Sequence, residues 1–501
     1  MKLSTRPRLL AASLLAPILA LTTALVSPPA HASSISTTMP DTAAGQIGST
    51  VIAHINADSP ASIQQWAATI LSPTVDADAR EAFLKQLAFA VRDSGGVDFV
   101  DARIQGPPGM LVVTLKGRRT GQRAVLVLLP DPQQPGKLAM ADLVAVDDPA
   151  LFAAWPKTSV SPAEIARLAK ATLDQLVRTQ DFSGCVTVTD GTRTIVDECR
   201  GLAERRFNIP VNQQTKFHIA SMNKMFTAVA VAQLVEAGKL AWDDTLALRV
   251  PEYPDQAAAK HITVWQLLHH TSGLGDFLVP ELFEQREKFV NPADYLGLVA
   301  RQPKVGEPGG DWNYSNAGYL LLGRIIENVS GEHYEDYIQR HVFAPAGMDA
   351  SGFDSVDDVV PNLAVGYFRE GPFSDAWKAD WLKIPYRSSP AGGGYSTNAD
   401  LLRFSEALRA GKLVKPATLA KMFDGAVPAG PGSYAAGFGL RTSHGRQLRG
   451  HAGGIEGTDA NFLMVWETGA TVALTSNQGP GQYWYLAERI ADLLAALEEK
   501  P

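Results

Sequence analysis

The stretch Ser221-Met222-Asn223-Lys224-Met225-Phe226-Thr227-Ala228-Val229-Ala230-Val231-Ala232-Gln233-Leu234-Val235-Glu236-Ala237-Gly238 decides how this chain is read. Beyond Lys224 it is almost uniformly apolar. A helix that is apolar on every side is a buried helix, and Gly238 ends it. Its polar start stands apart. Ser221 and Lys224 are three residues apart and therefore share one face. A serine hydroxyl is a weak nucleophile and needs a base beside it. A lysine serves as that base when burial lowers its pKa. The helix N-terminus also directs free N–H groups and a positive dipole end at any oxyanion formed there. Taken alone, S-x-x-K equally describes an N-cap serine beside a surface lysine, so the flanking sequence has to decide.

Two further stretches do so. Tyr314-Ser315-Asn316 follows the loop Glu307-Pro308-Gly309-Gly310 and precedes an apolar helix over Leu320–Val329. A phenol relays a proton, and a carboxamide orients a lysine or binds a substrate carbonyl. Gly450-His451-Ala452-Gly453-Gly454 lies on a late strand, where glycines permit close backbone approach by a ligand. His451 there is a candidate for binding an anionic group or tuning the proton relay. Rival chemistries find no support. The ten histidines show no H-E-x-x-H spacing, so no metal is expected. Gly392–Gly394 lacks the Lys-Ser/Thr of a phosphate loop, and there is no G-x-S-x-G elbow.

In this order, S-x-x-K, Y-x-N and H-x-G resemble the motif set of the penicillin-recognising serine hydrolases. The nearest resemblance is to class C β-lactamases, DD-peptidases, D-aminopeptidases and related esterases. It covers about Ser161 to Leu497. It extends to Ile262-Thr263-Val264-Trp265-Gln266-Leu267-Leu268-His269-His270-Thr271-Ser272-Gly273-Leu274, to Pro345-Ala346-Gly347-Met348 and to Gly392-Gly393-Gly394-Tyr395-Ser396-Thr397. The resemblance implies a β-lactamase/transpeptidase-like α+β domain: an antiparallel sheet flanked by helices, plus a helical lobe. It implies Ser221 as the acylated nucleophile, with Lys224 and Tyr314 sharing the acid–base work. Asn316, His451, Gly453 and Gly454 are then the substrate-binding residues, and the N–H groups of Ser221 and Gly454 form the oxyanion hole. Tyr314 is the candidate for activating the deacylating water. His269, His270, Ser272 and Ser315 are read as structural. His451 stands where many members carry lysine, which turns the expectation from a β-lactam toward an ester, a D-amino-acid peptide or a related amide. A true β-lactamase and a catalytically silent binding or regulatory protein are the alternatives.

The chain has 501 residues, too long for one ordinary domain. Residues 1–32 read as a signal peptide: Lys2, Arg6 and Arg8, an apolar run Leu9–Val26, then Ala30-His31-Ala32. An uncleaved anchor is the alternative reading of that run. Residues 33–45 read as a linker. Residues 46–158 read as a small α+β domain of two helices and four strands, similar to cystatin- or NTF2-like modules, with a docking or spacer role. Residues 159–501 form the serine hydrolase domain. Cleft loops at Phe277–Asn291 and Ser355–Lys383 are expected to set the substrate. The signal implies a periplasmic or secreted protein acting on a small molecule, with no membrane span after cleavage. The net charge of −7 has no basic block behind it, so nucleic acid and anionic membrane surfaces are not expected partners, and no cofactor is expected. Cys185 and Cys199 flank the hairpin signal Asp190-Gly191. They form either a cross-strand disulfide or two small buried side chains.

Overall fold

A computed structural model describes residues 36–146, 149–152, 155–180, 182–481 and 483–497. The expected signal peptide and the first residues of the expected linker lie outside the described residues. The chain divides into two compact units. Of the described residues, one takes in 36–146, Pro303–Val305 and Glu370–Ala376. The other takes in Asp148–Gln302, Gly306–Arg369 and Trp377–Pro501.

Among the described residues the first unit holds three helices where the sequence pattern predicts two: α1 (Ala43–Ala57), α2 (Pro60–Ile70) and α3 (Ala77–Asp93). Helix α1 begins inside the stretch read as linker. Its small residues hide a sparse apolar stripe, Ala44, Val51 and Ile55, and the Thr42 side chain caps it at Gly45. Strands β1 (Val97–Ile104), β2 (Leu111–Gly117), β3 (Arg123–Pro130) and β4 (Leu138–Val146) form an antiparallel meander in that order. Val51, Phe83, Leu87, Val113, Leu126 and Phe373 are among the side chains of its core.

In the second unit, β5 (Gly184–Thr189) and β6 (Thr194–Arg200) open the chain's larger sheet after helix α4 (Pro162–Gln180). The connected middle carries helices α5 (Asn223–Glu236), α6 (Val264–Leu268), α7 (Asn316–Ser330) and α8 (Asn398–Arg409), and a two-residue strand pair, β7 (Phe217–His218) with β8 (Tyr395–Ser396). The chain then returns through β9 (Val427–Ala429), β10 (Gly432–Ala435), β11 (Phe438–Ser443), β12 (Arg446–Ile455), β13 (Thr458–Val465) and β14 (Thr471–Ser476), and ends in α9 (Trp484–Ala495). Among the described residues the sheet runs β9-β10-β11-β12-β13-β14-β5-β6, antiparallel throughout. Both ends of this unit therefore build one sheet, as its strand–helix–strand order predicts.

The sheet is buried on both faces, and β13 shows why. Phe462 and Met464 pack into the core that also holds α5 and α7, while Leu463 and Val465 pack with α4 and α9. This is the period of two expected of a strand with apolar layers on each side. Helix α5 is apolar all round because neighbours surround it. Phe226 meets Phe343 and Phe404 edge to face, each at 4.9 Å. Gly437, at φ 80°, lets the sheet approach this helix: a Cβ there would stand 2.5 Å from Ala228 Cβ and 2.9 Å from Lys224 O. Cys185 and Cys199 lie directly opposite each other across β5 and β6 and form a disulfide. No helix of the described residues is long and apolar enough to cross a membrane.

Candidate active site

Ser221 sits in a short 3-10 turn, Ala220–Met222, that runs into α5. The turn is clamped from two sides. Ile219 N–H donates to Gly394 O at 3.1 Å, and β7 pairs with β8 just before it. On the other side β12 passes so close that a Cβ on Gly453 would fall 2.1 Å from Ile219 O and 3.1 Å from Ser221 N. Ala220 takes φ 44°, a left-handed conformation that an L-residue adopts only when its surroundings impose it. The turn that carries Ser221 is thus held by its neighbours rather than by local preference.

Lys224, one turn on, is fully buried. Its Nζ lies 3.1 Å from Ser221 Oγ and 2.7 Å from Asn316 Oδ1, and it also donates to the Ala391 carbonyl. The Ala391 segment is pinned in turn. Asn223 Nδ2 donates to Ser389 O at 2.9 Å, and Thr227 Oγ1 donates to Pro390 O at 2.8 Å. Burial lowers the Lys224 pKa to about 7, against the raising effect of the Asp276 charge. A neutral amine has two N–H groups and one lone pair. Two of its three partners, Asn316 Oδ1 and Ala391 O, can only accept. They take both N–H groups, which leaves the lone pair facing the Ser221 hydroxyl. Nζ also lies 4.8 Å from the centre of the Tyr314 ring. Burial raises the Tyr314 pKa, with a hydrogen bond to Ser221 acting the other way, so the phenol keeps its proton at neutral pH.

Asn316 opens α7, which Ser315 caps by accepting from Gly318 N at 3.2 Å. His270 supports this start. Its Nδ1 accepts from Ser315 N at 3.0 Å, and its ring lies 4.4 Å from that of Tyr314. Those contacts suit the structural part expected of His270. Asn316 Nδ2 donates to Asp276 Oδ2 at 2.7 Å. Asp276 is a site residue that sequence reasoning missed, because no motif spacing marks it.

His451 has a partner within the chain at each ring nitrogen. Its Nδ1 faces the Ala452 carbonyl, which only accepts, so this nitrogen carries the proton. Its Nε2 must then accept, and Tyr434 Oη donates to it at 2.9 Å. Both nitrogens are committed to protein. Burial, with Lys224 nearby, lowers the His451 pKa to about 3, so the ring is neutral near pH 7. Tyr434 was also missed, since a lone tyrosine on a short strand carries no signal. Gly454 pairs with Asp459 beside Gly453, at the end of β12 next to the nucleophile's turn. Among the described residues no group of His, Cys, Asp and Glu is placed to hold a metal ion.

A serine and a buried lysine at the start of a buried helix, beside an inner strand of an antiparallel sheet, define the class. Residues 169–496 match the Beta-lactamase family model, and the chain belongs to that family of penicillin-recognising serine hydrolases. Putative penicillin-binding protein PbpX of Bacillus subtilis (strain 168) is 33% identical over 270 residues, which cover 53% of this chain and 64% of that protein. The match therefore spans a little under two thirds of that relative's length. Esterase EstB of Burkholderia gladioli is 29% identical over 296 residues, 52% of this chain and 74% of that one. The crystal structure of D-amino acid amidase from Ochrobactrum anthropi SV3, complexed with L-phenylalanine amide, superposes with a TM-score of 0.58 at 26% identity, covering 67% of this chain and 98% of that one.

Proposed function

We propose that this chain is an exported acyl-serine hydrolase acting on an ester or amide whose leaving group carries no carboxylate. The observation that carries the reading is the buried Lys224 amine, 3.1 Å from Ser221 Oγ and hydrogen-bonded to the carbonyl oxygens of Asn316 and Ala391; in its neutral form those two oxygens take both N–H groups and the lone pair is left for Ser221. In the proposed reaction Lys224 takes the proton of Ser221 as Oγ attacks the substrate carbonyl. The oxyanion is held by the N–H groups of Ser221 and Gly454. Tyr314 gives its proton to the leaving group and takes the serine proton from Lys224 in exchange, so an acyl-serine remains with the phenol intact and Lys224 neutral again. Water, activated by Tyr314 or Lys224, then cleaves that ester by the reverse path.

The leaving-group preference rests on His451. A neutral imidazole with both nitrogens engaged provides no cation for a carboxylate of a β-lactam or a peptide C-terminus. The esterase and amidase among its relatives agree with this preference. Export is supported by the pattern in residues 1–32 and by the Cys185–Cys199 disulfide. The element order of the first unit supports the cystatin- or NTF2-like assignment and a spacer or docking role.

A fluorescent fluorophosphonate followed by intact mass tests the chemistry. Ser221 should carry one adduct, and Ser221→Ala should carry none. A panel of p-nitrophenyl esters, D-amino-acid amides and nitrocefin tests the substrate class. Esters or amides should turn over fastest; rapid nitrocefin hydrolysis would restore the β-lactamase reading.

A further inference from the structure

The carboxamide of Asn316 has two ends, and only one of them suits Lys224. Oδ1 must face Nζ for the lysine to spend an N–H there and keep its lone pair for Ser221. With Nδ2 in that place, the lone pair would be drawn to Asn316 instead. Nothing in the Lys224–Asn316 contact alone enforces the choice. Asp276 does. Its carboxylate only accepts, so Nδ2 must face it, at 2.7 Å, and Oδ1 is turned to Lys224. Asp276 is itself held, because Oδ1 accepts from Phe277 N at 2.7 Å and Leu278 N at 3.2 Å.

We propose that Asp276 is a positioning residue for acylation: it locks the Asn316 carboxamide so that the Lys224 lone pair is aimed at Ser221, and it supplies the negative charge beside that lysine. The proposal rests on the acyl-serine reading above. Among the described residues, the other groups around Lys224 leave this charge unopposed by any second ion. His270, from the same loop as Asp276, and His451, from β12, are both pushed by burial toward the neutral form. Tyr314 and Tyr319, from the start of α7, are pushed by burial toward the neutral phenol. Ala391 contributes only its carbonyl. Asp276 favours protonated Lys224 while burial opposes it.

The test is the rate of Ser221 labelling by a fluorophosphonate across pH 5 to 10 in the full chain. In the wild type the rate rises as Lys224 loses its proton. In Asp276→Asn the midpoint should move to lower pH by about one unit. The plateau should fall about tenfold to a hundredfold, since an amide no longer dictates which end of Asn316 faces it. Asp276→Glu, which keeps charge and acceptor, should hold the wild-type midpoint. A lower plateau with an unmoved midpoint in Asp276→Asn would make the residue merely structural and overturn the proposal. So would a midpoint in Asp276→Glu that moves to lower pH by about one unit, a readout that also decides the matter if Asp276→Asn does not fold. Absence of labelling in the wild type overturns the acyl-serine reading itself, which keeps the two failures distinct.

Discussion

Burial favours the neutral form of Lys224 over the opposing effect of the Asp276 charge beside it. Desolvation removes the stability of its ammonium form, and carbonyl oxygens receive the protons that remain. In the proposed mechanism the neutral amine is the active form, so kcat/KM should rise with pH through about 7, the value burial gives Lys224. Lys224→Arg keeps a cation that cannot deprotonate and should lower kcat/KM by about a hundredfold or more across the whole pH range. A wild-type profile flat from pH 5 to 9 would contradict this assignment. At Gly453 the constraint is steric. A Cβ 2.1 Å from Ile219 O cannot be accommodated without moving β12 or the nucleophile's turn. Gly453→Ala should therefore cost about a hundredfold in acylation rate, read as fluorophosphonate labelling, while leaving the far-ultraviolet circular dichroism spectrum unchanged.

At the scale of elements, α5 is the post on which the site is mounted, and its aromatic contacts hold it there. Removing the Phe226 ring from between Phe343 and Phe404 should destabilise the protein by about 3–5 kcal/mol in denaturant unfolding. The hairpin β5–β6 closes one end of the large sheet, where β6 has no further neighbour among the described strands. A cross-link between Cys185 and Cys199 shortens the reach of the unfolded chain. Replacing both by serine should lower stability by about 2–4 kcal/mol with the nucleophile still labelled, because the bridge lies outside the catalytic constellation.

For the whole molecule, the buried lysine also marks the pH dependence of stability. The folded-state pKa of Lys224, about 7, lies below its ordinary value of 10.5. Between these values the unfolded chain binds the proton and the folded chain does not. Stability contributed by this group therefore rises with pH from about 7 to 10.5 and is lowest below 7, where the ammonium must be buried. In Lys224→Met that rise should vanish from Tm measured across the same range. A rise equal in the two proteins would show that the lysine is not desolvated when folded.

Sequence alone determined the class of this protein. Three ordered motifs that resemble a known family's set, an all-apolar helix and strand-like runs at both ends of the domain are all local patterns. Even so, α1 escaped notice because its apolar stripe is sparse and set among small residues. Only tertiary structure decided which partners complete the motifs. Asp276, the Ala391 carbonyl and Tyr434 come from loops and strands far along the chain from Ser221, and no local pattern encodes which atoms they present. The tertiary structure also set the character of the two histidines: His270 and His451 are neutral because packing removes water from them, a property that a residue name does not contain.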